Sequence, residues 1–241
     1  MKKVINLISG PRNLSTALMY SFAQREDCEV FDEPFYAHYL TNANLEVAHP
    51  AYHDILQTMK TNKTEIVNNI QELAKHRNVF VKGMAHHFLS EEPEHILNWD
   101  NVILIRHPKK LIASFSKVIE NPSLRDIGIQ KAAALFLFLK KKNKTPIVID
   151  SDELLKNPKR YLKKLCELLN IPFSETMLSW QKGGISEDGV WALHWYKNVH
   201  NSEGFIVQKS SSQPLEQRLY PLLEEAMPHY ETLKNHILKN N

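Results

Sequence analysis

Ile5-Asn6-Leu7-Ile8-Ser9-Gly10-Pro11-Arg12-Asn13-Leu14-Ser15-Thr16 reads as a buried strand, a tight turn and the start of a helix. The turn carries one glycine, one cation and two adjacent hydroxyls. The first turn of a helix presents unpaired backbone N–H groups and the positive end of the helix dipole, so a strand–loop–helix of this composition suits a phosphate or sulfate. The segment predicts a nucleotide-like anionic ligand held by Ser9, Gly10, Pro11, Arg12, Asn13, Leu14, Ser15 and Thr16. The competing reading is structural: Ser-Gly-Pro makes a turn, and Ser15 or Thr16 caps a helix. On this segment alone the two readings are evenly matched.

The loop is not a Walker loop. That motif, G-x-x-x-x-G-K-[ST], places Lys directly before the hydroxyl residue and Gly before the Lys. Here Leu14 and Asn13 hold those two places, and the cation sits mid-loop at Arg12. An ordinary ATPase or GTPase is disfavoured.

The rest of the chain frames this loop. The 241 residues are 43% hydrophobic and 24% charged, enough for one sizeable core. Thirty Lys plus Arg against 27 Asp plus Glu leave a formal charge of +3, too mild a balance to argue for nucleic acid or a membrane surface. Among the twelve histidines no spacing suggests a metal site, and the two cysteines, Cys28 and Cys166, form no C-x-x-C pair. No apolar run approaches a membrane span, and Val4–Ile8 is too short for a signal sequence. These features predict a soluble, cytoplasmic protein with no metal. The terminal Asn and Lys residues read as a frayed tail.

Short apolar runs at Lys3–Ile8, Glu29–Phe31, Asn78–Lys82, Asn101–Arg106 and Pro146–Ile149 have the character of central parallel strands. Helical patterns fill the gaps at Leu14–Arg25, Thr64–His76, Lys109–Ile119, Gln130–Lys142 and Asn157–Leu169. Such alternation predicts an α/β fold, a doubly wound parallel sheet flanked by helices, in one domain of residues 1–241. Residues 1–173 form its core. Residues 174–241 form a lid region, with Trp180–Phe205 as an ordered loop or lid and Leu215–Leu238 as a helix broken or kinked at Pro221 and Pro228. Ligands of such sheets bind at the carboxyl ends of the strands. That rule gathers the Ser9–Thr16 loop and the segments after Phe31, Lys82 and Ile105 around one crevice.

The segment Val102–Ile105 followed by Arg106-His107-Pro108 ends a strand on Arg and opens a helix on Pro, with Ser114 eight residues beyond the Arg. A guanidinium there can fork onto a phosphate, and a helical Ser can donate one more hydrogen bond. Together these stretches resemble the sulfotransferases that use 3′-phosphoadenosine-5′-phosphosulfate. Gly10–Thr16 is similar to that family's P-[KR]-x-x-[ST]-[ST] loop, whose role is to hold the 5′-phosphosulfate. Arg106 and Ser114 match the pair that takes the 3′-phosphate. Val81-Lys82 with a nearby His resembles a strand-end Lys-Thr-His segment. Asp150–Pro158 with Leu165–Phe173 resembles a later acidic-Leu…Pro…Leu-Gly-Ile-Pro stretch. The matches lie in the family's order and span roughly residues 4 to 173. The resemblance implies a P-loop-type sheet. It also implies transfer of a sulfuryl group from that donor, without a metal, to a hydroxyl or amine of a small-molecule acceptor. Two departures stand out. The loop cation is Arg12 rather than Lys, and Met84 occupies the family's His position.

Transfer needs a stabilised leaving phosphate, a base and in-line attack. Arg12 suits the first, since its fork is fixed and it cannot act as a general acid. The base candidates are Glu33, just past a strand end, then His86 and His87. The structural readings beside them are a helix cap or an ion pair with Arg12 for Glu33 and solvated loop positions for the histidines. Phe35, Tyr36 and Tyr39 are candidates for an acceptor pocket or for core. Lys182 and Gly183 resemble a late Arg-Lys-Gly segment that touches the 3′-phosphate. Gly189–Tyr196 is a candidate for packing on adenine or acceptor. Two other functions compete: a P-loop small-molecule kinase, which predicts Mg²⁺ and ATP, and a non-catalytic nucleotide-binding module. The sequence does not disclose the acceptor or the oligomeric state.

Overall fold

Five apolar segments pair into one all-parallel sheet in the computed structural model, which describes residues 2–43, 49–206 and 215–240. They are β1 (Val4–Ser9), β2 (Cys28–Asp32), β3 (Asn78–Met84), β4 (Asp100–Ile105) and β5 (Ile147–Asp150), in the order β2-β3-β1-β4-β5. Each of the five expected strands forms, with ends shifted by one or two residues. The central strands are buried on both faces, which is why they read as continuous apolar runs rather than alternating ones. β1 lies between β3 and β4, and the chain winds to one side of it first and to the other afterwards. The carboxyl ends of β1 and β4 therefore flank the point where the winding reverses, the usual place for a ligand crevice.

Alternation along β1 divides the core in two. Ile5 and Leu7 face one side, where the helices Ser15–Ala23 and Pro158–Leu168 pack, with Phe22 stacked on Phe80 at 4.2 Å. Val4 and Ile8 face the other, covered by Ile129–Lys141 and Tyr220–Lys234. Burying each such large side chain contributes roughly 1.5–3 kcal/mol, so both layers are needed to hold the strand ends still. Asn6, wholly buried, donates to Asn101 Oδ1 at 2.8 Å, which ties β1 to β4.

The C-terminal part differs from expectation in two ways. The helix Tyr220–Lys234 is not broken: Pro221 sits in its first turn, where no N–H is needed, and Pro228 lies inside a continuous helix. The end is tied rather than frayed. Leu238 donates its backbone N–H to Val148 at 2.8 Å and Asn240 donates to the Glu153 carbonyl at 3.1 Å. Residues 180–206 carry only short helices, Ala192–Trp195 and Lys197–His200, and fold back onto the sheet's carboxyl edge with Trp191 and Tyr196 buried. Residues 207–214 of the expected lid lie outside the described residues.

Candidate functional site

Backbone shape makes the first part of the site. Between β1 and the helix Ser15–Ala23 the chain turns with Arg12 at φ 59° and Leu14 at φ 76°, both left-handed, a costly conformation for non-glycine residues that clusters at functional sites. Gly10 is required by contact: a Cβ there would stand 2.3 Å from the Ile127 carbonyl oxygen. Asn13 is buried and donates to the Leu104 carbonyl at 3.3 Å, and Ser9 donates to the Gly10 carbonyl at 2.8 Å. Ser9, Gly10 and Asn13 thus shape the loop, whereas Pro11, Arg12, Leu14, Ser15 and Thr16 line a crevice of about 610 Å³. The helix has no side-chain cap: its N-cap is Leu14, so neither Ser15 nor Thr16 serves as one. The first-turn N–H groups and both hydroxyls stay available to a ligand, against the purely structural reading.

Arg106 and Ser114 come to the same loop. Arg12 Nε donates to Ser114 Oγ at 3.2 Å, and Arg106 donates through one terminal nitrogen to the Arg12 carbonyl at 3.0 Å. Among the described residues no carboxylate forms an ion pair with either guanidinium. Arg106 Nε is buried without a partner. Burial, and then the charge of Arg106, lower the pKa of Arg12. Two cations left together without a counter-ion, beside a helix N-terminus, suit a ligand with more than one anionic group.

The second part of the site lies at the carboxyl ends of β2 and β3. Register places Asp32 opposite Lys82. Lys82 is wholly buried, and its three N–H groups are all used: Asp32 Oδ1 at 2.8 Å, Glu33 Oε1 at 2.5 Å and the Tyr196 hydroxyl at 2.6 Å. Tyr196 O–H donates to Asp32, both of whose oxygens are 2.8 Å away, and receives Trp191 Nε1–H at 3.0 Å. Gly189 N–H adds a bond to Asp32 Oδ2 at 3.0 Å. Glu33 stands at φ 46° on this cluster. Its pKa is raised because burial outweighs the attraction of Lys82. The expected structural partner for Glu33, Arg12, is replaced by Lys82.

The histidines are not solvated loop groups. His87 is buried, with its ring stacked on Tyr36 at 4.7 Å and Tyr39 at 4.9 Å, and its Nε2 is 3.9 Å from Glu33 Oε2. His86 meets His87 edge to face at 4.6 Å. Burial pushes His86 down to about 4 and His87 well below the usual imidazole value. The order of basicity expected from intrinsic values therefore narrows or reverses, since Glu33 moves up as the imidazoles move down.

Tyr36 and Tyr39 line the crevice with Trp191, whose ring meets Tyr36 edge to face at 5.1 Å, and with Trp195 and Phe205, while Phe35 is buried in the core. Lys182 and Gly183 are not brought to it: Lys182 is exposed, and the turn is held by Gly183 N–H donating to the His200 carbonyl at 2.9 Å. Sequence reasoning missed Asp32, Trp191 and Tyr196 as members of the Lys82–Glu33 cluster. The available signals were the acidic pair at the end of β2, level with a lysine in the next strand, and the aromatic density of Gly189–Tyr196. Among the described residues no group of His, Cys, Asp and Glu is arranged to hold a metal, and no helix is long and apolar enough to cross a membrane.

Three solved structures share the fold: the sulfotransferase domain from the curacin biosynthetic pathway (TM-score 0.59, 18% identity, covering 94% of this chain and 98% of that one), the sulfotransferase domain from the Synechococcus PCC 7002 olefin synthase (0.54, 18%, 93% and 95%), and a sulfotransferase from Alicyclobacillus acidocaldarius (0.53, 12%, 99% and 97%). Two curated Arabidopsis thaliana proteins, branched-chain-amino-acid aminotransferase-like proteins 1 and 2, are 38% and 36% identical over 98% of this chain. The chain spans only 42% of their length. The family model described as Sulfotransferase domain matches residues 2–237. The chain belongs to the sulfotransferase domain family.

Proposed function

We propose that the chain moves a sulfuryl group from 3′-phosphoadenosine-5′-phosphosulfate to a hydroxyl or amine of a small-molecule acceptor. The observation that carries this reading is the meeting of Arg12, Arg106 and Ser114 at a helix N-terminus inside a crevice of about 610 Å³, with neither guanidinium ion-paired to a carboxylate among the described residues. The buried, unpartnered Nε of Arg106 fits a phosphate oxygen. Arg12, Ser15, Thr16 and the first-turn N–H groups hold the phosphosulfate end, and Arg106 with Ser114 take the 3′-phosphate. The bound donor supplies an activated sulfuryl group whose S–O bond to phosphate breaks as the acceptor attacks. Arg12 stabilises the negative charge left on that phosphate, and it keeps its own proton throughout. Glu33 takes the proton of the attacking O–H or N–H, and its raised pKa makes it a better base than an exposed carboxylate. Tyr36, Tyr39, Trp191 and Phe205 favour an acceptor with an apolar or aromatic surface. Cys28 and Cys166, both free and buried, suit a reducing compartment such as the cytoplasm.

The test is formation of 3′-phosphoadenosine-5′-phosphate from the donor with a panel of phenols, aliphatic alcohols and amines. The expected result is acceptor-dependent product that is lost in Glu33→Gln while nucleotide affinity is retained. Full turnover in that variant overturns the role of Glu33. Phosphoryl transfer from Mg·ATP to the same acceptors overturns the donor.

A further inference from the structure

The base cluster holds two carboxylates and one lysine, so with both acids ionised it carries one uncompensated negative charge in a buried setting. Such a pair does not keep both charges equally well. Its surroundings are lopsided. Asp32 accepts from Lys82, from the Tyr196 hydroxyl and from Gly189 N–H. Glu33 accepts from Lys82 at 2.5 Å, with the His87 ring nitrogen farther off at 3.9 Å and the Tyr196 hydroxyl a weaker neighbour that also favours its charged form. Two of the three donors on Asp32 belong to the segment Gly189–Tyr196, which lies more than a hundred residues away in sequence and forms a wall of the crevice.

We propose that Tyr196 is a positioning residue for the reaction: it fixes the pair's negative charge on Asp32 and so leaves Glu33 as the carboxylate that accepts the proton. The inference rests on the reading of Glu33 as the base. The unequal sets of donors give the two carboxylates different roles, one held by its hydrogen bonds and one left to take a proton. Tyr196 can do this because its single O–H proton sits against Asp32, both of whose oxygens are 2.8 Å away, and acts more weakly on Glu33, while its oxygen is occupied by Lys82 and Trp191 Nε1. With all three Lys82 N–H groups engaged, the lysine acts through the carboxylates and not on the substrate. The other groups around the pair are weak competitors: His87, neutral at ordinary pH; Tyr36, whose phenol Glu33 helps push up; and Tyr20, which bonds Asp188. The arrangement also ties chemistry to the crevice wall, since Glu33 is selected only while Gly189–Tyr196 is seated.

The experiment compares the acid limb of the kcat–pH profile in the wild type, Tyr196→Phe, Asp32→Asn and Glu33→Gln. Donor affinity and thermal melting establish that each variant is folded. Removing the Tyr196 hydroxyl makes the doubly ionised pair less favourable, so the limb moves up by about one pH unit. Removing the charge of Asp32 leaves Glu33 alone with Lys82, so the limb moves down. Opposite shifts support the inference, because loss of packing lowers kcat without moving the limb in opposite directions. If Glu33→Gln abolishes turnover while both limbs stay in place, the role of Tyr196 is wrong and Glu33 remains the base. If Glu33→Gln retains turnover, the base reading itself fails. Should Tyr196→Phe not fold, Trp191→Phe, which removes a donor from the Tyr196 oxygen and keeps an aromatic ring against Tyr36, replaces it, with the limb position and not kcat as its readout. It is expected to move the limb in the same direction by less, and an unmoved limb there overturns the inference.

Discussion

Replacing Arg106 by Ala separates the bracing role the structure gives this side chain from the 3′-phosphate contact proposed for it. Arg106 donates to the Arg12 carbonyl at 3.0 Å, and its Nε is buried without a partner, so the guanidinium has both a structural bond and an unused donor. Loss of the structural bond to a neutral carbonyl costs about 1 kcal/mol and weakens any nucleotide held by the loop roughly fivefold. Loss of a two-pronged contact to a 3′-phosphate costs a further ~3 kcal/mol, on the order of 100-fold. Calorimetric titration of Arg106→Ala with 3′-phosphoadenosine-5′-phosphate and with adenosine 5′-phosphate reads both. The 3′-phosphorylated nucleotide is expected to lose on the order of 100-fold more affinity than the other. Arg106→Lys, which keeps the charge but not the fork, falls between wild type and Ala. Equal losses for the two nucleotides would refute the assignment and leave Arg106 as a brace for the loop alone.

Two further expectations follow from particular contacts. Gly10→Ala puts a Cβ against the Ile127 carbonyl oxygen, where backbone must shift, and is expected to cost about 1–3 kcal/mol in urea unfolding together with nucleotide affinity; an unchanged midpoint contradicts the contact. Asp150 caps the helix Ser151–Lys156, accepting from Asp152 N–H at 2.9 Å and Glu153 N–H at 3.0 Å, and burial raises its pKa to about 6. Its folded value lies above its unfolded one, so the stability it contributes is full below the usual carboxylate range and is lost as pH rises toward about 6. Asp150→Asn keeps a cap and flattens the melting temperature over that window; an unchanged slope contradicts the shift.

The fold was legible because its strands are central ones. A strand buried on both faces leaves a short continuous apolar run that local reading detects, and all five of these runs became strands. The strand–loop–helix was legible because its parts are close in sequence, and the placing of Arg106 and Ser114 beside it because one strand end and one helix carry them. The base cluster was half legible. Glu33 and Lys82 each sit at a strand end, but their pairing depends on β2 lying beside β3, and the Tyr196 contact depends on a segment without periodicity folding back. The solvated reading of His86 and His87 fails because the two rings that pack on them, Tyr36 and Tyr39, come from elsewhere in the chain. Lys182 illustrates the opposite failure: a motif-like Lys-Gly pair that the structure leaves on an exposed turn.

The most direct test of the donor class is calorimetric titration of the wild-type chain with 3′-phosphoadenosine-5′-phosphate, ADP and ATP, each with and without Mg²⁺. The account predicts tight binding of the 3′-phosphorylated nucleotide, unaffected by Mg²⁺, and much weaker binding of the other two. Preference for Mg·ATP, or equal affinity for all three, would contradict it.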